Sequence, residues 1–321
     1  MRNSEPDPHL SVRPLLEEDL PAADHVMRLA FGTFLGLPEP ASFMGDANYV
    51  RTRWLADPDA AFAAVAGNGE IVGSNFATNW GSVGFFGPLT VRPDYWDRGV
   101  GRRLMPPVLD CFARWRTRHA GLFTFASSPK HVGLYQSFGF WPRQLTAILS
   151  KPVGKEEAAS RWSRFSAIAK GDREATLAAC RTLTDAIYEG LDLRREIEAT
   201  AAQDLGETVL VENGGRLAGF GVCHFGPGTE AGSGTCYVKF GAARPGPDAE
   251  RDFGTLLSAC EAMGRERGLS RLAAGMSTGR VEAYRAMLAK GFRTDLLGVA
   301  MHRPNEPGYS RPGAWVIDDW R

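Results

Sequence analysis

The sequence lacks the features that mark several large classes of protein. Lys and Arg total 37 and so do Asp and Glu, whereas nucleic-acid-binding proteins usually carry a basic excess that neutralises phosphates. No run approaches the roughly 18 consecutive apolar residues of a membrane-spanning helix, and the first residues have no apolar segment of the kind found in signal peptides. We therefore expect a cytoplasmic protein with neither a nucleic-acid nor a membrane partner.

Cysteine is scarce and irregularly spaced. The chain has five cysteines, an odd number, and no two of them form a Cys-x-x-Cys pair. Its six histidines and five cysteines never cluster at the spacing of zinc ligands. We expect reduced, mostly buried thiols and no metal site. The five are Cys111, Cys180, Cys223, Cys236 and Cys260.

The 321 residues contain an internal repeat. Four landmarks, an Arg-Pro, a leucine, a Gly-Phe and a basic residue before proline, recur in the same order, and 245 − 93, 256 − 104, 291 − 139 and 303 − 151 all give 152. A length of about 100–200 residues per domain also favours two domains. We predict tandem domains at residues 1–152 and 153–321, joined by the polar linker Lys151–Ser160.

The residue pattern of the first domain predicts an α/β fold with the order β-α-β-β-β-α-β-α-β. Gly67-Asn68-Gly69 between two apolar runs is a strong hairpin signal. We expect one strand over residues 85–91 and one helix over about 101–119. The fold class is thus α/β with a mixed, mostly antiparallel sheet flanked by helices in each domain. Residues 311–321 alternate apolar and polar and predict a C-terminal edge strand.

The segment 91–104 joins a strand to a helix through a loop that contains Gly99 and Gly101. The first N–H groups of a helix have no intrahelical acceptor, and with the helix dipole they form an anion site. Glycine lets the backbone approach a ligand closely, and Arg98, Arg102 and Arg103 add positive charge. This chemistry suits a pyrophosphate. No Gly-Lys-Ser/Thr follows, which excludes a P-loop.

Here the sequence resembles the GNAT superfamily of acyl-CoA-dependent N-acyltransferases. The family signature is Arg/Gln-x-x-Gly-x-Gly/Ala after a strand, and this chain shows Trp96-Asp97-Arg98-Gly99-Val100-Gly101 after Val91-Arg92-Pro93. Trp96 departs from the pattern, but the family's cofactor contacts are largely backbone N–H groups. The aromatic-rich stretch that ends in Gly139-Phe140 also matches. The resemblance implies that acetyl-CoA is bound by Leu89, Thr90, Val91, Arg98, Gly99, Val100, Gly101, Arg102 and Arg103.

The resemblance also implies catalytic roles. Tyr135 matches the general acid that protonates the leaving thiolate, although it could instead only pack on the cofactor. A backbone N–H near Leu89 or Thr90 would bind the oxyanion. The general base is not evident, because residues 75–91 contain no Asp, Glu or His. Ser128 and His131 lie beside the expected site. Asp46, in the variable region before them, is a further candidate.

The second domain lacks the cofactor loop. At an offset of 152, Gly99 falls on Arg251 and Gly101 on Phe253, and Glu250 and Asp252 bring negative charge to the helix start. Carboxylates there would repel a pyrophosphate and could satisfy the free N–H groups themselves. A substitution at Phe253 should therefore leave cofactor binding intact. The alternative is a slipped alignment that hides a second working site.

Together these features predict an enzyme that transfers an acetyl group from acetyl-CoA to a primary amine of a small molecule. Two alternatives remain, a protein or peptide N-acetyltransferase and a non-catalytic acyl-CoA-binding sensor.

A sharper hypothesis is that the acidic C-terminal segment and its terminal carboxylate reach the active site of the first domain. Deleting Asp318–Arg321 should then lower turnover in an acetyl-transfer assay while the fold is retained. Unchanged turnover in a folded deletion variant would reject the hypothesis.

Overall fold

The computed structural model describes residues 10–154 and 162–321. Its helices are α1 (Leu20–Phe34), α2 (Tyr49–Ala56), α3 (Val100–Arg103), α4 (Met105–Trp115), α5 (Pro129–Gln136), α6 (Arg173–Asp185), α7 (Arg194–Ala202), α8 (Ala249–Glu266) and α9 (Val281–Ala289). Its strands are β1 (Ser11–Pro14), β2 (Ala61–Val65), β3 (Ile71–Trp80), β4 (Val83–Phe86), β5 (Thr90–Val91), β6 (His119–Thr124), β7 (Trp141–Pro152), β8 (Trp162–Arg164), β9 (Gly206–Asn213), β10 (Arg216–Gly226), β11 (Gly232–Ala243), β12 (Arg271–Ser277), β13 (Arg293–Arg303) and β14 (Val316–Ile317).

The strands form one mixed sheet in the order β1-β2-β3-β4-β6-β13-β7-β12-β11-β10-β9-β8. The pairs β4–β6 and β11–β12 are parallel, and the other strand pairs among the described residues are antiparallel. Helices pack on the sheet, so the predicted fold class is confirmed.

The two halves of the chain exchange their last long strands. β7, from the first half, pairs with β12, and β13, from the second half, pairs with β6. The two exchanged strands also pair with each other. Neither half therefore completes its sheet without the other. The domain boundary near residue 153 stays a prediction. Of the predicted linker, residues 151–152 end β7, and residues 155–160 lie outside the described part of the chain.

The predicted hairpin is confirmed, but two predicted elements are interrupted. β2 and β3 are antiparallel, and Gly69 in their turn has φ +86°. The expected strand over residues 85–91 is divided into β4 and β5 by a bulge, Gly87-Pro88-Leu89, because proline has no N–H to join the ladder. The expected helix over residues 101–119 is divided at Leu104 into α3 and α4. Pro106 and Pro107 lack the N–H groups that would donate to carbonyl oxygens of the preceding helical turn.

The same strand register occurs twice at the offset found in the sequence. Val83 lies opposite His119 in the pair β4–β6, and Thr235 lies opposite Arg271 in the pair β11–β12. Both members of the second pair are 152 residues beyond those of the first. This agreement supports the predicted duplication.

The prediction of a C-terminal edge strand was wrong. β14 pairs with β11, which already has β10 and β12 as neighbours, and Val316 and Ile317 are completely buried. The segment enters the sheet just past the β11–β12 pairing. It thus fills the place that corresponds to the end of the β4–β6 pairing in the first half.

Buried polar contacts and glycines hold the segment that follows β14. The guanidinium of Arg280, 1% exposed, donates to Val316 O and to Asp318 Oδ1, and the Tyr309 hydroxyl donates to Asp318 Oδ2. Deleting Asp318 would leave the buried Arg280 without its counterion, which typically costs about 3–5 kcal/mol. Removal of Arg321 alone is therefore the cleaner form of the deletion experiment.

Two glycines provide the space that Asp319 and Trp320 occupy. A Cβ on Gly121 would lie 2.1 Å from Cζ3 of Trp320, and one on Gly275 would lie 2.1 Å from Cβ of Asp319. Real Cβ atoms do not approach so closely, so these two strand positions accept only glycine while the C-terminal residues stay in place.

Cysteine burial agrees with the sequence analysis. All five cysteines are buried, and none of them forms a disulfide. Within the described ranges, no helix is both long and apolar enough to cross a membrane.

We predict opposite stability changes at two glycines. Gly121→Ala should destabilise the fold by about 1–3 kcal/mol, because Trp320 must move from a packed site. Gly254→Ala, in α8, should stabilise it by about 0.5–1 kcal/mol, since the new Cβ would meet only Lys290 Cε at 3.9 Å. Urea unfolding of both variants measures the difference. An unchanged midpoint for Gly121→Ala would show that the C-terminal segment is not seated there.

Candidate active site

One cavity of about 710 Å³ opens where β4 and β6 diverge. Its size falls within the range of small-molecule sites. The loop before α3 and the N-terminal part of α5 line one part of it, and α1, α2 and the C-terminal residues line another. Leu89, Thr90, Val91, Gly99, Val100, Gly101, Arg102, Ser128, His131 and Tyr135 from the predicted set all line this cavity.

The loop before α3 has the geometry of an anion site. Gly99 is the residue before the helix and has φ +76°, a left-handed conformation that favours glycine. The N–H groups of Val100, Gly101 and Arg102 begin the helix and therefore have no intrahelical acceptor. A Cβ on Gly101 would make only ordinary contacts, at 3.4 Å with Leu134 Cδ2 and 3.5 Å with Leu89 Cδ2, so a longer side chain there would extend against these two residues of the cavity wall.

Trp96, the departure from the family pattern, fixes this loop. Its indole N–H donates to Val91 O at 2.7 Å, and its ring lies 5.7 Å from Lys130 Nζ. Lys130 also pairs with Asp97 at 2.7 Å, which ties the loop to the start of α5. The tryptophan thus supplies a side-chain hydrogen bond to the strand end and leaves the loop backbone available.

The three predicted arginines are placed differently. Arg102 lines the cavity, with its guanidinium 5.5 Å from the ring centroid of Phe138. Arg98 packs on the ring of Tyr95 at 4.9 Å, and Arg103 donates to Leu10 O at 2.6 Å. Neither of these two residues lines the cavity. The Arg98 and Arg103 side chains therefore do not belong to the cavity lining, whereas Arg102 does.

The bulge between β4 and β5 presents a backbone donor to the cavity. The N–H of Leu89 has no hydrogen-bond acceptor among the described residues, and Leu89 lines the cavity. Gly87 O is held by the guanidinium of Arg53. A fixed, unpaired N–H of this kind can stabilise a developing oxyanion.

Tyr135 lies in the cavity wall in a form suited to donate a proton. It is 7% exposed, and its ring meets Phe86 edge to face at 5.6 Å. Burial raises the pKa of its hydroxyl above the ordinary value. The phenol therefore stays protonated at neutral pH.

Ser128 and His131 both line the cavity but differ in their availability. The Ser128 side chain is the N-cap of α5 and accepts from the backbone N–H of His131, so its first role is structural. Burial lowers the pKa of His131, which keeps the imidazole neutral at pH 7 and able to accept a proton. Its ring lies 5.0 Å from that of Phe34.

Asp46 does not line the cavity. Its carboxylate accepts from the N–H and the hydroxyl of Ser233, at 2.9 and 2.5 Å. These hydrogen bonds lower the pKa of Asp46. The residue joins the two halves of the chain, and a role as general base is not supported.

The cavity also contains residues that the motif analysis missed. Tyr49 lines it from α2, and Trp320 and Arg321 line it from the C-terminal segment. The hypothesis that this segment reaches the site thus agrees with the structure for residues 320–321. The guanidinium of Arg53 holds the segment there, because it donates to the main-chain oxygen of Arg321. The acidic end of residues 311–321 pointed to the segment, although Asp318 and Asp319 do not line the cavity, and no sequence motif marks Tyr49.

In the second half, the place that corresponds to the cavity is filled by protein. β14 occupies the end of the β11–β12 pairing, and Phe253, at the position of Gly101, is completely buried. Asp252 pairs with Arg251 at 3.3 Å and accepts from Asn213 at 3.4 Å. No side chain caps the start of α8, so the expected capping of its N–H groups by these carboxylates is not seen.

A segment of the first half matches a known protein family. Residues 27–140 match the model of a family described as the acetyltransferase (GNAT) family. No curated protein matches the chain.

Solved structures share the fold over nearly the whole length. "A Putative Acetyltransferase" from Pyrococcus horikoshii is 15% identical with a TM-score of 0.71, over 98% of this chain and 95% of that one. A GCN5-related N-acetyltransferase from Sphaerobacter thermophilus is 17% identical with a TM-score of 0.61, over 97% and 98%. At such low identity these similarities concern the fold.

We predict that Gly101→Glu abolishes acetyl-CoA binding, since it places a carboxylate at the helix start and into the cavity wall. The matched control is Arg251→Glu, the exposed residue at the position of Gly99, because Phe253 is buried and its substitution would disturb the core. Calorimetric titration with acetyl-CoA measures both. Retained binding in Gly101→Glu would place the cofactor elsewhere.

Proposed function

We propose, from the GNAT-family acetyltransferase domain that residues 27–140 form, that the protein transfers an acetyl group from acetyl-CoA to a primary amine of a small molecule. The observation that carries this proposal is one cavity lined by both the loop before α3 and the side chain of Tyr135. A diphosphate at the loop would lie in the same cavity as a proton donor and an unpaired backbone N–H.

We assign a residue of the cavity lining to each step of the transfer. The amine nitrogen attacks the thioester carbonyl carbon, and the Leu89 N–H would stabilise the oxyanion that forms. This attack forms the N–C bond. The oxyanion then collapses to re-form the carbonyl as the C–S bond breaks, and the thiolate takes the Tyr135 proton. His131, neutral at pH 7, is the lining side chain that we assign to accept the proton lost by the amine. The products are an amide and coenzyme A.

The shape of the cavity favours a small acceptor over a peptide. α1 contributes Phe31 and Phe34 on one side, and Trp320 and Arg321 contribute from the other. The C-terminal segment occupies space beside the site and is anchored by Arg280. A protein substrate would have to present its amine past these residues.

The first test of the proposed function is amine-dependent release of thiol from acetyl-CoA. Release that depends on an amine indicates an enzyme, and tight acetyl-CoA binding without release with any amine would indicate a sensor. Mass shifts on peptide N-termini or lysines, without activity on small amines, would favour the protein acetyltransferase.

We predict that Tyr135→Phe lowers kcat by about 10²-fold or more, the range of a lost general acid, and changes the Kd of acetyl-CoA little. Tyr188→Phe is the control, since Tyr188 lies outside the cavity lining. Thiol release and calorimetry give the two constants. Equal kcat in Tyr135→Phe and the wild-type protein would remove the assigned role.

A further inference from the structure

The charged side chains that line the cavity are almost all paired. Lys130 pairs with Asp97 at 2.7 Å, and Arg271 pairs with Asp295. Arg321 Nε lies 3.1 Å from Asp319 Oδ2. The remaining charged residue of the lining is Arg102, in the first turn of α3, with its guanidinium 5.5 Å from the ring centroid of Phe138.

This pairing limits the ligand that the rest of the cavity can hold. A second charge on a buried ligand needs a partner, because desolvation of an unpaired ion is costly. Away from Arg102, the described part of the cavity wall offers no charged side chain that lacks an ion partner. An acceptor with a carboxylate, a phosphate or several ammonium groups would therefore bind poorly.

The wall on the α1 side is aromatic. Phe31 stacks on Phe43 with centroids 5.4 Å apart, and Phe34 lies 4.9 Å from Phe125. All four residues line the cavity, together with Trp320. These rings offer dispersion contacts and apolar area to a flat or aliphatic ligand.

One polar group in this part of the cavity lacks a partner. Tyr49 is 4% exposed, lines the cavity, and its buried hydroxyl makes no hydrogen bond to any described residue. Its ring lies 5.1 Å from Arg53 Cζ, and Arg53 donates to Gly87 O at the bulge. Burying a hydroxyl without a hydrogen-bond partner is unfavourable, so a ligand group that hydrogen-bonds to it gains affinity.

We infer that the acceptor is a primary monoamine with an uncharged apolar body, and that the Tyr49 hydroxyl binds its nitrogen. The body lies on the aromatic wall formed by Phe31, Phe34 and Phe43, and the nitrogen lies near the bulge that carries the Leu89 N–H. This inference rests on the proposed function and names the acceptor class for the same site.

The test compares matched amines with the wild-type protein at saturating acetyl-CoA. We expect kcat/KM for 2-phenylethylamine to exceed that for phenylalanine, which adds only a carboxylate, by at least about 10-fold. We also expect it to exceed the values for spermidine and glucosamine. An equal or higher value for any of these three overturns the inference and leaves acetyl transfer intact. Absence of thiol release with every amine would instead contradict the proposed function.

Tyr49→Phe tests the residue separately. Loss of one neutral hydrogen bond should weaken 2-phenylethylamine binding by roughly 3- to 10-fold. We would measure its Kd by calorimetry with coenzyme A present, and the Kd of coenzyme A itself should not change. Tyr188→Phe is again the matched control. The same 2-phenylethylamine Kd in Tyr49→Phe as in the wild-type protein would overturn the assignment of Tyr49.

Discussion

The buried guanidinium of Arg53 is the contact on which the site depends. It pairs with Glu230 of the second half at 2.9 Å and donates to Gly87 O at the bulge and to the main-chain oxygen of Arg321. Three chain segments that are distant in sequence therefore meet at one planar group whose donors can serve several acceptors at once. Glu230 in turn pairs with Lys239, and Lys239 with Glu196. Burial without these partners would be strongly unfavourable, so the charges hold the halves in one arrangement.

The two halves of the chain exchange strands but differ at the end of their parallel strand pairs. Each half lends its last long strand to the other, which makes the sheet continuous through β6, β13, β7 and β12. In the second half β14 then fills the end of the β11–β12 pairing, and the residues after it continue to the cavity of the first half. The same C-terminal segment thus fills the place past the β11–β12 pairing in the second half and lines the cavity of the first half. Gly121 and Gly275 are the positions that allow this path, because any side chain there would overlap Trp320 or Asp319.

The cavity combines a polar part and an apolar part. Around α3 the backbone N–H groups and Arg102 suit an anion, whereas α1 and the C-terminal segment contribute rings and paired charges. Tyr135 and Leu89 line the same cavity as these two parts. The proposed acetyl transfer would use this combination, because one substrate carries a diphosphate and the other must lose the charge of its amine before it can attack.

The sequence by itself determined the features that depend on local spacing. Gly99 and Gly101 at the start of a helix, the hairpin at Gly69 and the fold class are readable from local pattern, because backbone conformation and periodicity are local. The 152-residue offset is readable from the recurrence of short motifs along the chain. Only the tertiary structure decided the exchange of β7 and β13, the burial of β14, the hydrogen bond from Arg103 to Leu10 O and the approach of Tyr49 and Arg321 to the cavity. These depend on contacts between residues far apart in the chain, which packing fixes and local pattern does not encode.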